Sequence, residues 1–322
     1  MARTISEIRA EVNGAEPKKR AMSRRKKDTV SFYLYILPFI LGFSLFTLVP
    51  MGFSLFFSFH KIGLNTYVDE SYTFYGFQNY VRVFTDNNYF LLALRNTFTF
   101  AIFRNVFCVV IAMLLALLFN CKMPCKKLFR TFIYIPGVLP IVGAAIIWRQ
   151  LFDGRASLIS WALSGVGITV DPNWWLGNGG LVSALIMSVF MGIGQTMTMF
   201  LAALQGVPTA QLEAADIDGA DAFTKFFRII LPSISPTMFY VVMTGIISSL
   251  QAYAEVELLV GSLAKNSMTI SYLVMYYYKQ NMIGLGYSSA IAWLLFLIIG
   301  ACSFFVFKYS KKMVFFADGG TL

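Results

Sequence analysis

Six long apolar runs alternate with shorter polar stretches along the chain, at about 32–59, 92–119, 129–151, 180–205, 234–260 and 288–307. Each is long enough to cross a hydrocarbon core as a helix rising about 1.5 Å per residue. The pattern predicts an all-α polytopic membrane protein with six transmembrane helices. Pro38 and Pro50 fall in the first run, where they are expected to kink the helix without stopping the crossing.

The polar stretches predict the remaining organisation. Residues 1–30 carry Lys18-Lys19-Arg20 and Arg24-Arg25-Lys26-Lys27 with little apolar content, and read as a mostly disordered tail ending in a positive anchor. Residues 31–310 form the membrane domain, and 311–322 a second short tail. Between the first two runs, Asp69, Glu70, Asp86 and the aromatic stretch Phe74-Tyr75-Gly76-Phe77-Gln78-Asn79-Tyr80 predict an ordered external loop. Asp171-Pro172-Asn173-Trp174-Trp175 predicts an interfacial segment with its tryptophans at headgroup level.

Composition supports the membrane assignment: 57% of the 322 residues are hydrophobic and 13% are charged, and the mean hydropathy is +0.67. The net charge of +10 would suit nucleic acid, but the basic residues flank apolar runs instead of forming one face. Anionic lipid and membrane orientation account for them better. Eighteen Lys and Arg fall in the tails and the loops around 122–130 and 225–228, against seven on the other side. The positive-inside rule then places both termini and the 208–232 loop in the cytoplasm of a plasma-membrane protein.

Reactive chemistry is sparse. Cys108 and Cys302 lie in apolar runs, Cys121 and Cys125 in a basic loop, and His60 is the one histidine, so neither a disulfide framework nor a metal site is expected. The first apolar run is too long for a signal-peptide core and lacks a small-residue cleavage site. No phosphate-binding Gly-x-x-x-x-Gly-Lys-Ser/Thr occurs, which argues against catalysis in this chain.

The segment 208–232 stands out as acidic and glycine-interrupted between two apolar runs. Thr209 can cap a helix, and Glu213 and Asp216 suit its early turns. Gly219 is expected to break or bend that helix. Phe223, Phe226, Phe227 and Ile230 then recur at helical spacing as one apolar face, and Pro232 closes the unit.

The spacing Glu213-Ala214-Ala215, three residues, Gly219, nine residues, Ile229, one residue, Leu231-Pro232 resembles the EAA loop of permease subunits of binding-protein-dependent ABC importers. Leu37-Pro38-Phe39, Gly76-Phe77-Gln78-Asn79-Tyr80, Asn96-Thr97, Phe129-Arg130-Thr131 with Pro136, and Ala203-Leu204-Gln205-Gly206-Val207-Pro208 are similar to the carbohydrate-uptake branch, the relatives of the maltose and glycerol-3-phosphate permeases. Together they cover about 33–310. Where that family often has Gly-Gly-Pro after the fifth span, this chain has Val260-Gly261-Ser262-Leu263. The resemblance implies a second permease subunit, two ATPase subunits and an external solute-binding protein. ATP and Mg would sit in the ATPase, with no cofactor in this chain. It also implies that Glu213, Ala214, Ala215, Asp216 and Asp218 belong to the coupling helix and that Gly219 lets the chain turn.

Polar residues inside spans mark a candidate solute path. Ser188, Gly192 and Gln195 share a face of the fourth span at i, i+4 and i+7, and Ser248 and Ser249 lie in the fifth, followed by Gln251, Tyr253, Glu255 and Glu257. By resemblance, a small sugar pocket would be built from these two helices. Close packing between helices is the alternative role for the serines and glycine, and Glu255 and Glu257 would be solvated at the outer end. Arg104, deep in the second run, would meet a structural partner or an anionic solute. Against an importer subunit stand a self-sufficient secondary transporter, for which deep acids are few and no internal repeat is evident, and a membrane enzyme or channel.

Overall fold

Helix α1 (Lys18–Phe43) passes through Pro38 and continues, by way of a π-helical turn over Ser44–Leu48, into α2 (Val49–Ser58). The widened turn bonds the amide of Val49 to the carbonyl of Ser44, just ahead of Pro50, which has no amide to give. The helix therefore survives both prolines. It begins at Lys18, inside the basic stretch assigned to the tail. This computed structural model describes residues 18–62, 73–85, 89–121, 123–153, 157–261, 266–279 and 284–310. Residues 1–17, the acidic positions Asp69, Glu70 and Asp86, and the tail 311–322 lie outside them. The chain divides into two units, residues 1–56 and 57–322.

In the second unit, β1 (His60–Lys61) and β2 (Thr73–Phe74) form a short antiparallel pair, followed by α3 (Gln78–Thr85). Buried Asn79 donates to the carbonyls of Ser58 (2.9 Å) and His60 (3.0 Å), so the described ends of the expected loop are ordered. The helices that follow are α4 (Tyr89–Asn120), α5 (Lys126–Tyr134), α6 (Ile141–Phe152), α7 (Leu158–Ser164), α8 (Gly180–Gln205), α9 (Thr209–Ile217), α10 (Ala222–Lys225), α11 (Leu231–Ser233), α12 (Ser235–Leu250), α13 (Ala254–Leu259), α14 (Ile270–Lys279) and α15 (Gly284–Ser310).

Four helical stretches are long and apolar enough to cross a membrane: Ser31–Ser58, Tyr89–Asn120, Gly180–Gln205 and Gly284–Tyr309. Two bent pairs make six if each counts as one crossing: Lys126–Val138 with Ile141–Phe152, at 101°, and Ala222–Ser233 with Ser235–Leu250, at 71°. The third run is thus not one straight helix. Pro136 and Pro140 remove two amides, and the chain turns through a 3-10 segment, Ile135–Val138. The fifth run also stops early. Helix α12 ends at Leu250, and the hydroxyl of Thr269 donates to the freed carbonyl of Ala252 at 2.6 Å before α13 begins.

Helices α4 and α8 form the spine of this unit through rows of residues spaced by four, Phe100–Arg104–Cys108–Ala112–Ala116 and Ala184–Ser188–Gly192–Thr196–Phe200–Leu204. The apolar members fall into two separate buried clusters. One gathers Phe100, Ala184 and Met187 with Phe152, Trp175, Val256 and Tyr272. The other gathers Ala112, Ala116, Phe200 and Leu204 with Val207, Ile234 and Val241. The polar residues of both rows lie between these clusters.

Small residues set the close approaches. A Cβ on Gly194 would lie 2.4 Å from the carbonyl oxygen of Ile133, and one on Gly245 2.6 Å from Asn105 Oδ1. Asn105 in turn donates to the carbonyl of Val242 at 3.0 Å, tying α4 to α12. Asn96 donates to the carbonyls of Asn266 (2.9 Å) and Met268 (3.1 Å), and Thr97 accepts from the amide of Ile270, joining α4 to the start of α14.

One interfacial expectation is corrected. Trp175 is 6% exposed, packs in the first cluster and donates from its indole to Ser160 Oγ at 2.8 Å. Only Trp174, at 37%, reaches the surface. The half-buried hydroxyl of Ser160 meets the indole N–H, so the ring has no need of an interface.

Candidate functional site

Helix α9 starts after Pro208, which fixes the entering backbone but offers no side-chain cap; Thr209 lies inside the helix and does not cap it. Its end is defined by Gly219, at φ +75°. The amide of Ala220 bonds to the carbonyl of Ala215 (2.9 Å) and that of Gly219 to Asp216 (3.2 Å). This is a Schellman cap, which satisfies the last carbonyls and requires a left-handed residue at position 219. Gly219 is therefore a stop, after which the chain reverses.

Asp221 then starts α10. Its Oδ1 accepts from the amide of Thr224 at 3.1 Å, and hydrogen bonding from Thr224 holds its carboxyl below the usual aspartate range. Lys225 closes the unit with an ion pair to Asp216. Neither role was anticipated, although Asp221-Ala222-Phe223-Thr224 is a readable cap signal.

The two faces of α9 differ sharply. Ala215 is buried, and Leu212 packs with Phe226 and Ile230 against the second apolar cluster. Glu213, Ala214, Asp216, Asp218 and Gly219 are exposed, and Ile217 is 87% exposed. The expected four-residue apolar face splits. A π-helical turn over Phe226–Ile230 shifts the register, so Phe226 and Ile230 face inward while Phe223 and Phe227 meet outside at a tilt of 45°, ring centroids 4.6 Å apart. Anchored beneath and bare above, α9 has the form of a docking element.

The second constellation is the polar layer. Arg104, midway along α4, donates from Nε to Ser188 Oγ (2.7 Å) and from Nη1 to Ser248 Oγ (3.0 Å) and Ser249 Oγ (2.9 Å). A Cβ on Gly192 would lie 3.7 Å from Arg104 Nη2 and 3.2 Å from Cys108 Sγ. Cys108 Sγ is 3.5 Å from Thr196 Oγ1. Four of the five expected path residues, Ser188, Gly192, Ser248 and Ser249, thus converge on Arg104. Gln195 stands apart, exposed on α8 and donating to the carbonyl of Gly137 at the bend between α5 and α6, 3.1 Å away.

The hydroxyls of Ser248 and Ser249 have one use more. Each donates to the carbonyl of Gly245, at 3.1 and 2.6 Å, so their oxygens are left to accept from the guanidinium. They orient the arginine and have no proton left over for a passing solute. Beyond this layer, Glu257 pairs with Lys279 at 2.6 Å, which raises the lysine pKa; it is bound as well as solvated. Among the described residues no group of His, Cys, Asp and Glu could hold a metal ion. A groove of about 610 Å³ between α4, α12 and α15 is lined by Ile102, Val106, Val242, Ile246, Phe305 and other apolar residues, and suits hydrocarbon better than a sugar.

Membrane-crossing helices around a polar layer, with an anchored helix bared at one end, define a membrane transport domain. The chain belongs to the family described as the binding-protein-dependent transport system inner membrane component, which its residues 97–315 match. It is 32% identical to a probable ABC transporter permease protein, YesP, of Bacillus subtilis, over 94% of this chain and 97% of that protein. It is 31% identical to the multiple sugar-binding transport system permease MsmF of Streptococcus mutans, over 86% and 93%. In fold it resembles a chain of a bacterial ABC transporter involved in importing the acidic polysaccharide alginate, with a TM-score of 0.73 at 21% identity over 91% of this chain and 99% of that one. The protein is a membrane-spanning ABC importer permease.

Proposed function

We propose that this permease carries a sugar or sugar-like solute received from an external binding protein, as one of a pair of permease subunits, and that separate ATPase subunits dock on the 208–232 loop. ATP and Mg belong to those subunits. The observation that carries this reading is α9. Ile217, 87% exposed, stands beside Glu213 and Asp218 on a helix pinned from below by Leu212 and Ala215. An exposed isoleucine ringed by carboxylates on an anchored element is an interaction surface. Basic residues, eighteen against seven, favour the cytosolic side for it, where an ATPase would meet it.

The sugar class rests on relatives such as MsmF, whose name gives a multiple sugar-binding transport system. A self-sufficient secondary transporter is disfavoured because none of the four long spans, nor either arm of the bent pairs, carries an Asp or Glu to couple ions. The deciding experiment is reconstitution in liposomes with and without the ATPase pair. Solute uptake that requires both the ATPase and ATP supports the reading. Uptake by the membrane subunits alone overturns it.

A further inference from the structure

Arg104 is a full positive charge midway along a membrane-crossing helix, and its neighbours leave it unneutralised. Its hydrogen-bond partners are three serine hydroxyls on α8 and α12. Both ion pairs among the described residues, Asp216 with Lys225 and Glu257 with Lys279, lie elsewhere. The four long spans and both arms of the bent pairs contain no Asp or Glu, so none of these helices offers Arg104 a counter-charge. A guanidinium held partway along a membrane-crossing helix normally persists because something anionic meets it.

The local geometry shows where that anion would approach. Ser188 occupies Nε, and Ser248 and Ser249 occupy Nη1. Two of these hydroxyls are themselves locked to the carbonyl of Gly245. The guanidinium is thus held in one orientation by acceptors on both flanks, at Nε and at Nη1, while Nη2 has no hydrogen-bond partner among the described residues. Gly192 lies beside Nη2 and has no side chain to cover it. An oriented arginine with a free Nη2 and a glycine-cleared approach can donate a charge-assisted hydrogen bond to an oxygen of a carboxylate or a phosphate.

The geometry points to Arg104 as a specificity-determining residue that binds an anionic group of the transported solute, a sugar carrying a carboxylate or a phosphate. This rests on the import reading above. Ser188, Ser248 and Ser249 act as positioning residues for the guanidinium, and Gly192 keeps its Nη2 open.

The test uses the complete importer in liposomes, with its partner permease, ATPase pair and binding protein, and three probe sets. These are neutral oligosaccharides, oligosaccharides with one hydroxymethyl oxidised to carboxylate, and hexose phosphates. ATP-dependent uptake of one charged set, at least tenfold above its neutral counterpart, is expected; the set that passes tells carboxylate from phosphate. Arg104→Gln should lower that uptake at least tenfold and Arg104→Lys by much less, with solute affinity of the isolated binding protein unchanged. Where Arg104→Gln does not assemble, Ser188→Ala serves, and a rise of about fivefold in KM for the charged solute is expected from loosening the guanidinium. Import of neutral solutes only, or wild-type uptake of the charged solute by Arg104→Gln, overturns the inference. An unchanged KM in Ser188→Ala overturns it equally. No ATP-dependent uptake of any probe set by the assembled complex would instead overturn the import reading itself.

Discussion

Asp216 on α9 and Lys225 on α10 form an ion pair across the chain reversal at Gly219. The aspartate side chain is 60% exposed and the lysine 23%. The pair therefore stabilises the fold little, by about 0–1 kcal/mol as expected of surface pairs. Its position matters more, because it links the bare helix to the segment that enters the membrane at α12. Asp216→Ala and Lys225→Ala should each leave the melting temperature nearly unchanged while lowering solute-stimulated ATP hydrolysis of the assembled importer severalfold. Exchanging the two, Asp216→Lys with Lys225→Asp, should recover most of it. Recovery separates a mechanical link from a direct contact of either residue with the ATPase.

Gly219 carries φ +75°, and a Cβ placed there meets nothing within 4 Å. The penalty of a side chain is thus purely that of the backbone, about 1–2 kcal/mol for an alanine held in the left-handed region. Gly219→Asn should be tolerated better than Gly219→Ala, because asparagine visits that region more readily. Gly219→Pro, which cannot reach a positive φ, should unfasten the end of α9 and abolish stimulated hydrolysis while membrane insertion persists. Limited proteolysis across 217–222 would register the same order, with proline cut fastest.

The parts of this architecture that could be read along the chain are those built by local pattern. The run at 180–205 corresponds to α8 because no proline interrupts it and glycines flank both ends. The run at 129–151 does not survive as one helix. Apolar content alone hid Pro136 and Pro140, whose missing amides and fixed φ turn the chain. Periodicity placed Ser188 and Gly192 on one face, and that holds. What they face, Arg104, lies 84 residues away from Ser188 in sequence, beyond the reach of any pattern. The apolar face at Phe223–Ile230 failed for a different reason: a π-helical turn shifts the register on which the spacing argument depends.

Asp221 gives the loop a pH dependence with a definite sign. Its carboxyl sits below the usual aspartate range because Thr224 donates to it, so the folded state favours the anion. A depressed folded pKa contributes stability that is complete above about pH 4, the unfolded value, and is lost as pH falls through the folded one. Hydrogen exchange at the Thr224 amide should therefore be protected at neutral pH and lose protection in acid. Asp221→Asn retains an acceptor and should flatten that profile, whereas Asp221→Ala should remove the protection at every pH.

Gly194 offers the sharpest test of how the bent third crossing is held. A Cβ there would lie 2.4 Å from the carbonyl oxygen of Ile133 and 2.8 Å from Cα of Tyr134. Both are backbone atoms, so α5 and the 3-10 turn would have to move as a unit. Overpacking of this kind costs about 1–3 kcal/mol. The displacement would also carry Gly137 away from Gln195, whose carboxamide donates to its carbonyl. Gly194→Ala should therefore lower the melting temperature of the detergent-solubilised protein by several degrees. Gly143→Ala, on α6 with nothing within 4 Å of its Cβ, is the matched control and should be silent or slightly stabilising, since alanine is the better helix former. Equal behaviour of the two variants would mean that α5 does not lie against α8 as closely as this packing requires.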